Sequence, residues 1–137
     1  MIGIVIVAHG GLAKEYLAAV EHVVGRQPGI RAISIDADHD RAAKEREICE
    51  AADEVDTGGG VVVVTDLYGG SPSNLSLLAC RPGNRRILYG ANLPMLIKLA
   101  KSRQKPVPDA VRLALEAGKK YIDSQNVSPE QDTRQDQ

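Results

Sequence analysis

Residues Ile4 to Ala13 read IVIVAHGGLA. Four β-branched residues and an alanine follow one another without a polar break, as a strand covered on both faces requires. His9 ends that strand, although Gly10 alone could have ended it. Beyond Gly10 and Gly11, Ala13, Leu17, Val20 and Val24 recur at helical spacing until Gly25 closes the pattern. A buried strand that runs through a histidine into an amphipathic helix is the first half of a βαβ unit. What this protein does depends on what else can reach His9.

Working outward, the strand is expected over Ile2–Ala8, with three further β-branched runs at Ile30–Ile35, Val61–Thr65 and Arg86–Tyr89. Helical patterns separate them. Asp40 is the expected N-cap of a helix carrying Ile48, Ala52 and Val55 on one face. Ser71, Pro72 and Ser73 introduce a third helix through Leu75, Leu78 and Ala79. Pro94 suits the first turn of a fourth, before Leu96, Leu99 and Ala100. Pro106 and Pro108 precede a fifth, with Val111, Leu115 and Gly118 facing inward. Strands alternating with helices predict an α/β fold of three layers, with a mostly parallel sheet and helices on both faces. The simplest order for four such strands is 2-1-3-4. KKYIDSQNV, 119–127, is compatible with one more short strand. Residues 1–123 are expected to form the domain and 124–137, rich in Gln, Asp and Ser, a polar flexible tail.

The chain has 137 residues, enough for one domain with one core. Seventeen basic residues against eighteen acidic ones leave a formal charge of −1, so no bulk field draws nucleic acid or an anionic membrane. Tyrosines are the only aromatics, which leaves few platforms for stacking bases. Nucleic acid is therefore not an expected partner. Cys49 and Cys80 form neither a disulfide framework nor a CxxC pair. No run approaches the ~18 apolar residues of a membrane-spanning helix, and the N-terminal run lacks a basic leader and a cleavage site. A cytoplasmic protein without direct membrane insertion is the expectation.

In an open parallel sheet, ligands bind beyond the carboxyl ends of the strands, where the strand order reverses. In the order 2-1-3-4 that point lies between the first and third strands. His9 closes the one; Asp66, in VVVVTDLYGGSPSN at 61–74, closes the other. A carboxylate accepting from Nδ1–H would fix the tautomer of His9 and leave Nε2 as a nucleophile. Gly10, Gly11, Gly69 and Gly70, with the hydroxyls of Ser71 and Ser73, surround the pair. Glycines let backbone N–H groups approach an anion, and two helix starts add their dipoles. A nucleophilic histidine ringed by such amides suggests phosphoryl transfer through phosphohistidine. DADHDR, 36–41, offers carboxylates and His39, but acidic residues at a helix start explain it without a metal. No metal and no cofactor are expected, and Walker A, GxGxxG and HExxH patterns do not occur. Leu67, Tyr68 and Met95 fall in segments just after the third and fourth strands and are expected on the partner-binding rim. Leu12 and Leu93 suit either rim or core.

Three blocks in this order, IVIVAHGGLA, VTDLYGGSPSN and GANLPMLIKL, resemble the EIIA domain of the mannose family in the bacterial phosphoenolpyruvate-dependent sugar phosphotransferase system (PTS). The resemblance covers the chain to about residue 120. It implies that His9 is phosphorylated at Nε2 by the phosphocarrier HPr and that Asp66 orients it. It implies the same sheet order, and a homodimer in which a C-terminal strand, here KKYIDSQNV, is exchanged. The expected partners are phospho-HPr as donor and an EIIB-type protein as acceptor; a regulatory target whose binding follows phosphorylation is the alternative. Relatives often carry EIIB on the same chain behind an Ala/Pro-rich linker. The polar tail here suggests a separate EIIA-like protein. The phosphotransfer subunit of dihydroxyacetone kinase is similar too, but its second block lacks the GGSPSN form.

Overall fold

In the computed structural model, which describes residues 1–129, strand β1 spans Gly3–His9 and buries every residue except His9. Its side chains divide by parity. Ile4, Ile6 and Ala8 enter one hydrophobic cluster, and Val5 and Val7 the other. This two-sided burial is why the run carries no polar alternation. Three further strands, β2 (Ile30–Ile35), β3 (Val61–Thr65) and β4 (Arg85–Leu88), pair with it in the order β2-β1-β3-β4, all parallel. His9 stands in register with Ile35, and Val7 with Thr65.

Helices α1 (Leu12–Val24), α4 (Leu93–Lys101) and α5 (Val107–Lys120) cover the face of Ile4 and Ile6. Helices α2 (Arg41–Val55) and α3 (Ser71–Ser76) cover the face of Val5 and Val7. The expected three-layer α/β fold with order 2-1-3-4 is the observed one. Each fully buried Val, Ile or Leu in these clusters contributes roughly 1.5–3 kcal/mol by leaving water.

Local signals set the helix ends. Asp40 caps α2, its Oδ1 accepting from the Ala43 N–H at 3.0 Å, and Asn92 caps α4 by accepting from the Met95 N–H at 3.0 Å. The Gly25 N–H donates to Glu21 O at 2.9 Å as α1 ends. Several boundaries differ from expectation: β1 lies one residue later than expected and β4 one residue earlier, and three differences are larger. Pro108 lies inside the first turn of α5 rather than before it, where its missing N–H has no acceptor to lose. The third helix stops at Ser76 and tightens into a 3₁₀ turn, Leu78–Cys80, which leaves Leu78 exposed while Leu75 and Ala79 are buried. Lys119 and Lys120 belong to α5, and residues 121–127 form no strand within this chain. Of the expected tail, residues 130–137 lie outside the described residues.

Two arginines tie the edge of the sheet where the strands begin. Buried Arg103 donates through Nε to Ile2 O at 2.8 Å, and through its Nη atoms to Pro28 O at 2.6 Å and Gly29 O at 3.1 Å. Burial pushes its pKa down from the ordinary guanidinium value. Arg85, at the start of β4, donates to Asp53, Asp56 and the carbonyl of Ala79. Among the described residues no helix is long and apolar enough to cross a membrane.

Candidate functional site

The opposite edge, where the strands end, carries the histidine. Asp66 is the first residue after β3, on the strand next to β1, so its carboxylate reaches across to His9. Oδ2 accepts twice from that residue: from the ring Nδ1 at 2.8 Å and from the backbone N–H at 3.1 Å. Burial pushes the pKa of Asp66 up, but the two hydrogen bonds and the charge of His9 outweigh it and leave it below the usual carboxylate range. Asp66 is thus an ionised acceptor, which places the proton of neutral His9 on Nδ1 and leaves Nε2 as the free ring nitrogen. The other oxygen, Oδ1, is buried without a hydrogen-bond partner among the described residues. The His9 side chain is 49% exposed and that of Asp66 9%. The pair is therefore a solvent-reached imidazole backed by a nearly dry carboxylate.

Gly70 packs against the free side of the ring. A Cβ built on it would lie 3.3 Å from Cε1 and 3.7 Å from Nε2 of His9, so a side chain there would pack tightly against the ring. The expected cradle of amides is narrower than the glycines suggest. The Gly10 N–H donates to Ile35 O at 3.0 Å, continuing the β1–β2 ladder, and the Gly69 N–H donates to Ser73 Oγ at 3.0 Å. Ser73 is buried, and its hydroxyl in turn donates to Gly70 O. Both amides and the Ser73 hydroxyl are thereby held by the turn itself. Gly11, Gly70 and Ser71 are the members whose N–H groups are not engaged by protein acceptors among the described residues.

An open cleft of about 390 Å³ lies beside His9, lined by Gly10, Ser71, Ile35 at the end of β2 and, from the segment after β2, Asp36, Ala37 and His39. Sequence reasoning accounted for that last segment only as the acidic start of α2. Its place in the cleft follows from the His9–Ile35 register, which sequence pattern alone does not reveal. No group of three or more His, Cys, Asp or Glu side chains is arranged to hold a metal among the described residues.

On the rim, Tyr68 is 80% exposed and stands edge-on to Tyr89 with ring centroids 4.9 Å apart; Leu67 is exposed beside it. Met95 is a different matter. It is 4% exposed and belongs to the core under α4 and α5, packed against Gly118, which removes it from any partner surface of this chain. Leu12 is exposed and Leu93 half-buried.

Comparison with known proteins places this geometry in a family context. The family model EIIA-man, described as PTS system fructose IIA component, matches residues 3–115. The chain is 28% identical over 132 residues to the PTS system mannose-specific EIIAB component of Escherichia coli K12; the match covers 93% of this chain but 41% of that protein. It is 30% identical over 105 residues to the putative phosphotransferase enzyme IIA component YadI of the same organism, covering 76% of this chain and 72% of that one. Among solved structures, the phosphotransferase system component EIIA from Streptococcus agalactiae superposes with a TM-score of 0.81 at 27% identity, covering 90% of this chain and 97% of the other.

Proposed function

From the premise that the chain belongs to the EIIA-man family of PTS IIA components, we propose that it is a phosphohistidine phosphocarrier. His9 accepts a phosphoryl group from phospho-HPr and passes it to an EIIB-type protein. The observation that carries this reading is the 2.8 Å contact between His9 Nδ1 and Asp66 Oδ2, which leaves Nε2 free at the cleft. In the forward step Nε2 attacks phosphorus, the bond from phosphorus to the donor imidazole breaks, and its electron pair returns to the donor ring. The His9 ring becomes positive, and the carboxylate of Asp66 stabilises that charge. Gly11, Gly70 and Ser71 supply N–H groups to the phosphoryl oxygens. Leu67 and Tyr68 contact the incoming partner.

The same reading makes residues 1–123 the working unit, in the cytoplasm where such partners are found. It also makes the chain a homodimer in which 121–127 add as a strand to the partner subunit. The exposure of Tyr121, Ile122 and Val127 supports a role for that segment outside its own chain. A regulatory target in place of EIIB would use the same site, and no observation favours it. The test is incubation with phosphoenolpyruvate, Enzyme I and HPr, followed by EIIB. Wild type should become labelled and discharge to EIIB. His9→Ala should stay unlabelled while remaining folded, with only a small drop in melting temperature from the lost Nδ1–H bond to Asp66. Label on the mutant, at His22 or His39, would overturn the assignment.

A further inference from the structure

Two imidazoles open on one cleft, and each is held in the same manner. At His9 a single oxygen, Asp66 Oδ2, accepts from the backbone N–H and from the ring Nδ1. At His39 a single oxygen, the carbonyl of Asp36, accepts from the backbone N–H at 3.3 Å and from the ring Nδ1 at 2.8 Å. A carbonyl only accepts, so His39 carries a proton on Nδ1 and Nε2 is its free nitrogen. Both rings line the cleft of about 390 Å³ together with Ser71. The register brings them there: His9 is paired with Ile35, and a turn at Ala37 and Asp38 follows before His39.

The two oxygens differ in charge, and that separates the roles of the rings. A carboxylate behind His9 stabilises a ring that turns positive on bonding to phosphorus. A neutral carbonyl behind His39 does so far less, which makes it the poorer nucleophile. Its Nε2 is nonetheless a base with nothing bound to it. A phosphoryl group on His9 brings close to two negative charges into the cleft, and a nearby anion favours the protonated form of an imidazole.

We propose that His39 is a phosphoryl-binding residue: when His9 is phosphorylated, His39 takes a proton onto Nε2 and donates it as a hydrogen bond to a phosphoryl oxygen. This rests on the reading of His9 as the phosphoryl acceptor. The step balances. One P–N bond breaks in the donor, one forms at His9, and solvent supplies one proton to His39, with no change of oxidation state. The charged groups nearby are the carboxylates of Asp36, Asp38 and Asp40 and the guanidinium of Arg41 on the same segment, with His9 across the cleft and Asp66 behind it. The carboxylates favour the added proton; Arg41 and the N-terminus of α2 oppose it.

The experiment uses the full chain and two phosphoryl donors, phospho-HPr and the small molecule phosphoramidate. NMR follows the titration of the His39 ring before and after His9 is phosphorylated, and the midpoint should move up by about one unit. At equilibrium with HPr, His39→Ala should shift the phosphoryl group about tenfold toward HPr at low pH, with the difference vanishing at high pH. His39→Gln, which donates without titrating, should restore part of the shift and flatten its pH dependence. A merely structural histidine would alter the equilibrium equally at every pH and lower the melting temperature. An unmoved midpoint after phosphorylation of His9, or a phosphoryl group found on His39 itself, overturns the proposal. If phosphoramidate modifies His9 and moves the His39 midpoint while phospho-HPr fails to react, the phosphocarrier reading falls and this one stands. If neither donor modifies His9, both fall.

Discussion

Replacing Asp66 with asparagine removes one charge and puts an NH2 in place of the buried Oδ1, unpartnered among the described residues. The amide oxygen of Asn can still accept from the backbone N–H and the Nδ1–H of His9, the two bonds that Oδ2 now accepts at 3.1 and 2.8 Å. What is lost is the attraction between a carboxylate and a ring that becomes positive during transfer. Two unit charges about 4 Å apart interact by about 4 kcal/mol at an effective dielectric of 20 and by about 1 kcal/mol in bulk water. The half-exposed ring and the nearly buried carboxylate put this pair between those limits, at about 2 kcal/mol. Phosphorylation by phospho-HPr should therefore slow by about 30-fold. The KM for HPr should change little, because no partner contact is removed. Rapid-quench transfer of labelled phosphoryl groups measures both. A rate within threefold of wild type would show that the charge of Asp66 takes no part in the reaction.

The remaining predictions concern stability and the rim. Because His9 holds the folded-state pKa of Asp66 below its unfolded value, the stabilisation from this carboxylate is present above about pH 4 and lost as pH falls through the lower, folded value. Urea titrations of wild type and Asp66→Asn should accordingly differ at neutral pH and converge in acid. Gly70→Ala, at a φ of −85° that alanine adopts freely, should leave the melting temperature unchanged but slow phosphorylation about tenfold by crowding Nε2. Tyr68→Ala should weaken HPr binding by about 1–2 kcal/mol in a calorimetric titration, and equal affinities would take it off the interface. Arg103→Met should cost about 1–3 kcal/mol in denaturant unfolding by taking the donor from the Ile2 carbonyl at a buried bond, with the phosphorylation rate unaffected.

How much of this was legible in the sequence depends on whether the information is local or relational. The continuous apolar runs of β1 and β3 and the caps at Gly25 and Asp40 are local signals, and they led to the right elements and layers. The approach of His9 and Asp66 needed only the strand order, because both stand at strand ends. Met95 was misplaced because its orientation depends on α5 docking over α4, and one helix viewed alone does not contain that. The Gly10 and Gly69 amides looked available because their acceptors, Ile35 O and Ser73 Oγ, are set by the ladder and the turn. Burial of Arg103 had no local signature at all. An isolated arginine after a helix reads as surface until three carbonyl oxygens converge on it.

The arginine ties and the His9 cleft occupy opposite ends of the same sheet. Arg103 and Arg85 fasten the edge where strands begin; His9, Asp66 and His39 stand where strands finish. Substitutions in the segments after β1, β2 and β3 can consequently retune which protein docks, or how strongly the anion is held, without loosening those anchors. A lineage that exchanged one donor or acceptor for another could change those segments alone and inherit the scaffold intact. The same separation recommends the chain as a host for grafted rim loops, with amide exchange at β1 and β3 as the measure of whether a graft has been tolerated.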